Sequence, residues 1–262
     1  MKIAISGKGG VGKTTLAALL AQTYADRGRA VLAVDSDPSP SLARALAFPD
    51  ELLEELRPIS EMDELIAERT GAQPGAMGIF FTLNPRVDDL PERYSAVHNG
   101  VRLLEMGSID SGGSGCICPE SAMLKTLFTH LLFRDDDVLI MDMYAGVEHL
   151  GRATVDFVDA LLIVVEPTRR SLNTAAQIKK LAGDIGLSRM WLVANRIRGD
   201  EDLAFLEREA FDVPLLGHLP EEPLVVDADR RGEAAYTLAP PLREAAARIA
   251  DALTESMPAP GS

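Results

Sequence analysis

Lys2-Ile3-Ala4-Ile5-Ser6-Gly7-Lys8-Gly9-Gly10-Val11-Gly12-Lys13-Thr14-Thr15-Leu16-Ala17-Ala18-Leu19-Leu20-Ala21 sets a glycine-rich turn between an apolar run and an Ala/Leu-rich stretch. Gly7 to Thr14 satisfies G-x-x-x-x-G-K-[ST], and it lies where that pattern has a mechanism, after a strand (Lys2–Ser6) and at the start of a helix (Thr14–Arg27). Glycines let main-chain N–H groups wrap a phosphate without Cβ clashes. The helix N-terminus adds partial positive charge. A nucleotide is expected on Gly7, Gly9, Gly10, Val11, Gly12, Lys13, Thr14 and Thr15. Lys13 is expected at the β- and γ-phosphates and the Thr14 hydroxyl on Mg²⁺.

The same alternation continues outward. Short β-branched runs at Ala30–Asp35, Val101–Met106, Val138–Asp142, Ala160–Val165, Met190–Ala194 and Leu215–Gly217 alternate with helix-period stretches. Helices are expected at Pro119–Phe133, Gly151–Phe157, Ser171–Ile185, Leu203–Glu209 and Pro241–Ser256. This is the pattern of an α/β protein with a doubly wound, mostly parallel sheet flanked by helices. Residues 1–256 read as one domain, with an irregular insertion at about 39–100 carrying acidic helical stretches at Asp50–Leu56 and Met62–Arg69; residues 257–262 read as a mobile tail.

Composition narrows the function classes. The 262 residues carry 26 Lys+Arg and 40 Asp+Glu, a formal net charge of −14, which argues against a nucleic-acid or anionic-membrane partner. No apolar run exceeds six residues, against about 20 needed to span a bilayer. The apolar start leads at once into the glycine-rich turn, leaving no room for a signal-peptide core. The only cysteines, Cys116 and Cys118, form no disulfide framework, and a reducing, cytoplasmic location is expected.

Lys8 carries more information than Lys13. A second lysine after the first glycine is not needed for binding in cis, and the spacing resembles the deviant Walker A motif, K-G-G-x-G-K-[ST], of the MinD/ParA-like ATPases. That resemblance implies a P-loop NTPase of the SIMIBI type whose two protomers meet face to face, Lys8 reaching the partner's phosphates. It also implies that Asp37, second of the pair in Val34-Asp35-Ser36-Asp37-Pro38, orients the attacking water. Asp35 is placed with the metal, at the carboxyl end of a strand where ligands collect in open α/β sheets. Asp142 ends the apolar run Val138-Leu139-Ile140-Met141 as a Walker B residue and is expected to hold Mg²⁺. By the same resemblance, Asn195-Arg196 and Pro220-Glu221 fall where these ATPases contact adenine.

Gly112-Gly113-Ser114-Gly115-Cys116-Ile117-Cys118-Pro119 is the other specific feature. Cysteines two apart in an extended segment point to one side. A closed zinc or nickel site normally takes four ligands, and one chain offers two thiolates; an isologous dimer supplies four. Two small buried residues and a strained redox disulfide are the alternatives. With Ala145-Gly146-Val147-Glu148-His149-Leu150-Gly151-Arg152 and Glu166-Pro167-Thr168, the chain resembles the CooC-type carbon monoxide dehydrogenase accessory ATPases. The resemblance implies an ATP-hydrolysing homodimer that inserts nickel into carbon monoxide dehydrogenase or a related metalloenzyme, with Zn²⁺ or Ni²⁺ on Cys116 and Cys118. Tyr144 stands where these proteins commonly carry Glu, which points to a different client. A MinD/ParA-type spatial regulator and an iron–sulfur carrier are the alternative readings. The former usually ends in a basic membrane helix, the latter usually has C-x-x-C, and this chain has neither.

Overall fold

The structure is a computed structural model that describes residues 1–75, 80–107, 118–134, 137–144, 157–209 and 212–257. From the N-terminus, β1 (Lys2–Gly7), α1 (Lys13–Asp26) and β2 (Val31–Asp35) lead into five short helical elements. These are α2 (Leu42–Ala45), α3 (Asp50–Glu55), a 3₁₀ turn (Ile59–Glu61), α4 (Asp63–Thr70) and α5 (Leu90–Arg93). They are followed by β3 (Ser95–His98), β4 (Val101–Glu105), α6 (Pro119–Phe133), β5 (Val138–Asp142) and β6 (Ala160–Val165). The chain continues with α7 (Arg169–Ile185), β7 (Met190–Ile197), α8 (Asp200–Glu209), β8 (Leu215–Pro220), α9 (Leu224–Arg231), α10 (Ala235–Leu238) and α11 (Pro240–Ser256).

The eight strands form one sheet in the order β3-β4-β2-β5-β1-β6-β7-β8, parallel except for the antiparallel β3–β4 pair. From β1 the chain runs outward to β2 and β4, returns to β5, then crosses to β6 on the other side of β1. That reversal puts the ligand crevice at the carboxyl ends of the central strands, where the glycine-rich turn follows β1.

Side-chain alternation explains the layering. Ile3, Ile5, Ala33, Leu103 and Ile140 face α1 and α11, whereas Ala4, Val34, Leu104 and Met141 face α6 and the Leu65–Ile66 turn of α4. β5 and β6 are buried throughout, as expected for strands covered on both faces. α1 is apolar nearly all round because α2, α10 and α11 pack around it. α7 begins with Thr168, whose hydroxyl accepts the Ser171 N–H at 3.3 Å, and ends with Gly186 at φ 97°. Such a cap contributes about 1 kcal/mol.

Several boundaries depart from the sequence reading. β3, α9 and the single-turn helices α2, α5 and α10 were not expected. β3 is a four-residue edge strand whose Ser95 and His98 mask its alternation. α9 is short and solvent-facing, with Ala228 its only buried residue. β7 runs on through Asn195 to Ile197 after a register shift, and β8 runs to Pro220, which is tolerated because β8 is an edge strand. Within about 39–100, Leu42, Phe48 and Leu56 join the core on the α1 face; Ile59, Leu65, Ile66 and Leu90 join the opposite core. Ser60 N–H donates to Met106 O at 3.1 Å, and a Cβ on Gly107 (φ +76°) would meet Ser60 Oγ at 2.0 Å. The expected helix Gly151–Phe157 falls on residues that, apart from Phe157, lie outside the described ones, as do tail residues 258–262; Met257 packs against the core.

Candidate functional site

The loop after β1 is shaped by contacts only glycine permits. A Cβ on Gly7 would approach Val164 O of β6 to 2.6 Å, and one on Gly12 (φ +98°) would meet Asn195 Nδ2 at 2.1 Å. Asn195 is buried, its Nδ2 donating to Val11 O at 2.8 Å and its Oδ1 accepting the Arg196 N–H at 2.9 Å. The end of β7 therefore holds the loop from beneath. Lys13 lies buried, its Nζ 3.5 Å from Lys8 O, while the Lys8 side chain is exposed at the loop's crest.

Three acids line the carboxyl rim of the sheet. Glu105 of β4, Asp35 of β2 and Asp142 of β5 are register neighbours and so share the α1 face. Thr14 Oγ1 donates to Asp142 Oδ2 at 2.6 Å, and Ser41 Oγ lies 3.5 Å from Thr14 Oγ1. Asp142 Oδ1 is buried without a hydrogen-bond partner among the described residues. Burial, with Asp35 next in effect, raises the Asp142 carboxyl to about 7. Burial likewise raises Glu105 to about 7, helped by Asp35 and then Glu61, and it pushes Asp35 up against the opposing pull of main-chain N–H groups. An orphaned carboxylate oxygen beside a threonine hydroxyl, in a site short of positive charge, suits a hard divalent cation such as Mg²⁺.

Asp35 is arranged differently from Asp142. Its Oδ1 accepts the Asp37 N–H at 3.0 Å, and its Oδ2 accepts those of Ser41 at 2.8 Å and Leu42 at 2.9 Å. Its main-chain O accepts from Met106 N–H at 2.8 Å and Gly107 N–H at 3.4 Å. Asp37 is half-buried and accepts the Ser39 N–H at 2.9 Å.

The expected adenine contacts are spread over a neighbouring surface. Arg196 adopts φ 58°, pairs with the Glu166 carboxylate and reaches Gly10 O at 3.3 Å. Glu221 is engaged bidentately by Arg198 at 2.7 and 2.8 Å. With Thr168 and Asp202 these four residues line a polar hollow of about 380 Å³. A second groove, about 330 Å³, starts at Thr14 and Thr15 and runs past Arg44, Val225, Val226 and Tyr236. Glu166, Arg198, Glu105 and Ser41 escaped the sequence reading as site residues. Glu166, Arg198 and Ser41 meet their partners across strands or loops, and Glu105 lies beside Asp35 across the sheet, which no local spacing encodes.

Cys118 heads α6; it is buried, and its thiol donates to Ser121 Oγ at 3.1 Å. Cys116, Glu148 and His149 lie outside the described residues. Among the described residues, no three His, Cys, Asp or Glu side chains are grouped to hold a metal. None of the described helices is long and apolar enough to cross a membrane.

Comparison with known proteins agrees with this geometry. The family model for the CobQ/CobB/MinD/ParA nucleotide-binding domain matches residues 2–235. The chain is 45% identical over 255 residues, 97% of each chain, to the carbon monoxide dehydrogenase accessory protein CooC of Rhodospirillum rubrum. It is 44% identical to an uncharacterised ATP-binding protein of Methanocaldococcus jannaschii, over 89% of this chain and 90% of that one. Among solved structures, the fold matches the MinD cell division protein of Aquifex aeolicus, with TM-score 0.67 and 24% identity over 97% of both chains. It also matches a ParA family ATPase of Chlorobium tepidum, with TM-score 0.69 and 19% identity over 96% and 98% of the two chains. With the loop, the Walker B acid and the sheet order in place, the chain belongs to the CobQ/CobB/MinD/ParA nucleotide-binding family and, within it, to the CooC-type ATPases.

Proposed function

We propose that this ATPase works as a homodimeric metallochaperone, coupling ATP hydrolysis to delivery of nickel to carbon monoxide dehydrogenase or a related metalloenzyme in the cytoplasm. The observation that carries the reading is 45% identity along 97% of the chain to an accessory protein of that dehydrogenase. Lys8 in the phosphate loop and the Cys116/Cys118 pair support it, because both features gain a purpose in a dimer.

The chain's own residues divide the chemistry. Lys13 leaves the Lys8 carbonyl for the β- and γ-phosphates, and main-chain N–H groups of Gly9 to Thr15 surround them. Thr14 and Asp142 would hold Mg²⁺, which when bound offsets phosphate charge. Asp37 orients the water for in-line attack, and Lys8 of the opposite protomer adds charge at the phosphoryl group. Asn195, Arg196, Pro220 and Glu221 form the base side of the site, Asn195 by supporting the loop from below. Zn²⁺ or Ni²⁺, the cargo, is taken by Cys116 and Cys118 from both protomers, which requires the Cys118 thiol to turn away from Ser121.

Metal analysis of the purified protein combined with light scattering tests the reading. Nucleotide-dependent dimers carrying one Zn²⁺ or Ni²⁺ per dimer, lost in Cys116→Ala and Cys118→Ala, are expected. Metal stoichiometry unchanged by both substitutions, or a monomer under all nucleotide conditions, contradicts it.

A further inference from the structure

We propose that Asp35 is a positioning residue for hydrolysis: its carboxylate staples residues 36–42, and with them Asp37, to the end of β2, and does not ligate magnesium. The inference rests on the reading of Asp37 as the water-orienting group.

Both Asp35 oxygens are committed to main-chain donors, one to the Asp37 N–H and the other to those of Ser41 and Leu42. The residue is fully buried, and so is Leu42. One carboxylate thus grips the loop at both its start and its end. Between these points Asp37 turns back on the Ser39 N–H, and Ser41 brings its hydroxyl to Thr14. Ser36 N–H adds a bond to Asp142 O at 3.0 Å. Turning either oxygen toward a cation would weaken its hold on these N–H groups, of which that of Leu42 is buried. Among the described residues, a fully buried carboxylate oxygen left without a partner here belongs to Asp142, and the threonine hydroxyl touches Asp142. Asp35 therefore has the contacts of a structural clamp, and Asp142 those of a ligand.

The clamp matters for rate because a displacement of about 1 Å in a reacting group costs about 100-fold. In Asp35→Asn, the amide oxygen can serve one end of the loop while the NH₂ group faces a donor at the other. The expected result is a kcat lowered about 100-fold, with the affinity for a fluorescent ADP analogue and the half-saturating Mg²⁺ concentration both within about threefold of the parent. An unchanged kcat, or hydrolysis restored by excess Mg²⁺, overturns the proposal. Amide exchange in the unsubstituted protein, followed by NMR, decides the matter even if the variant fails to fold. Protection at Asp37, Ser41 and Leu42 is expected to be equal with ADP plus EDTA and with Mg²⁺·ADP. Loss of protection at Ser41 and Leu42 on adding Mg²⁺ would show Asp35 leaving the loop for the metal, and the proposal fails. Asp37→Ala is measured in parallel: normal hydrolysis there refutes the reading of Asp37, whatever Asp35→Asn does.

Discussion

Replacing Asp142 with Asn should make the metal-free protein more stable, and increasingly so as the pH rises. Burial lifts this carboxyl from 3.8 to about 7, so the folded chain retains a proton that the unfolded chain has released. The sign follows from linkage: the stabilising effect of that proton is complete below about 4 and is lost as pH climbs toward about 7. At 1.36 kcal/mol per pH unit the whole displacement is worth about 4 kcal/mol, of which about 3 kcal/mol falls between pH 5 and pH 8. Asn keeps the shape and a partner for the Thr14 hydroxyl without the charge. For a chain of this size, 1 kcal/mol moves the melting temperature by about 2–4 °C. The advantage of Asp142→Asn over the parent should therefore widen by about 6–12 °C between pH 5 and pH 8. Differential scanning calorimetry in EDTA, without nucleotide, reads this directly. Mg²⁺·ADP should then reverse the order at pH 8, because a bound cation stabilises only the ionised carboxylate. Parallel melting curves for the two proteins across this range would falsify the argument that Asp142 is a desolvated acid awaiting a cation.

Other perturbations separate the parts of the site. Gly12→Ala combines a disfavoured φ of +98° with a Cβ 2.1 Å from Asn195 Nδ2, and isothermal titration should find nucleotide binding abolished. Asn195→Ala leaves the Val11 carbonyl without its buried partner, which should cost about 1–3 kcal/mol in chemical denaturation and weaken ATP binding. Lys13→Ala should lose nucleotide affinity, whereas Lys8→Ala should bind ATP normally and lose dimer-dependent turnover; equal, mild effects on both assays would contradict that division. Ser121→Ala frees the Cys118 thiol from its hydroxyl acceptor, and metal titration should show uptake at least as tight as in the parent.

The central strands and the phosphate loop were legible because their physics is local. β6 is an unbroken apolar run and β5 is apolar up to Asp142, both buried throughout, and Gly7 to Thr14 encodes its own backbone shape. Edges were harder to read. β3 is only four residues long with polar ends, and β8 finishes on a proline that reads as a turn in sequence. Asn195 looked like the first residue beyond a strand, whereas it is a buried strand residue turned under the loop; the register shift in β7 that places it there leaves no local signature. The Glu166–Arg196 pair spans two strands, and the Asp35 contacts depend on how the chain folds back at α2. Sequence therefore placed Asp35 with the metal as an acid at a strand end, and carried no sign of the three main-chain N–H groups its carboxylate accepts.

Asp35 also has a second allegiance. While its carboxylate grips the stretch bearing Asp37, its carbonyl oxygen receives Met106 and Gly107, and Ser60 closes on the same two residues from the other side. Met106 and Gly107 form the stem from which residues 108–117, including Cys116, depart. One strand terminus is thus common bedrock for residues 36–42 and for the Met106–Gly107 pair. A tilt of that terminus would carry residues 36–42 and the Met106–Gly107 pair together, because both hang on the one residue Asp35.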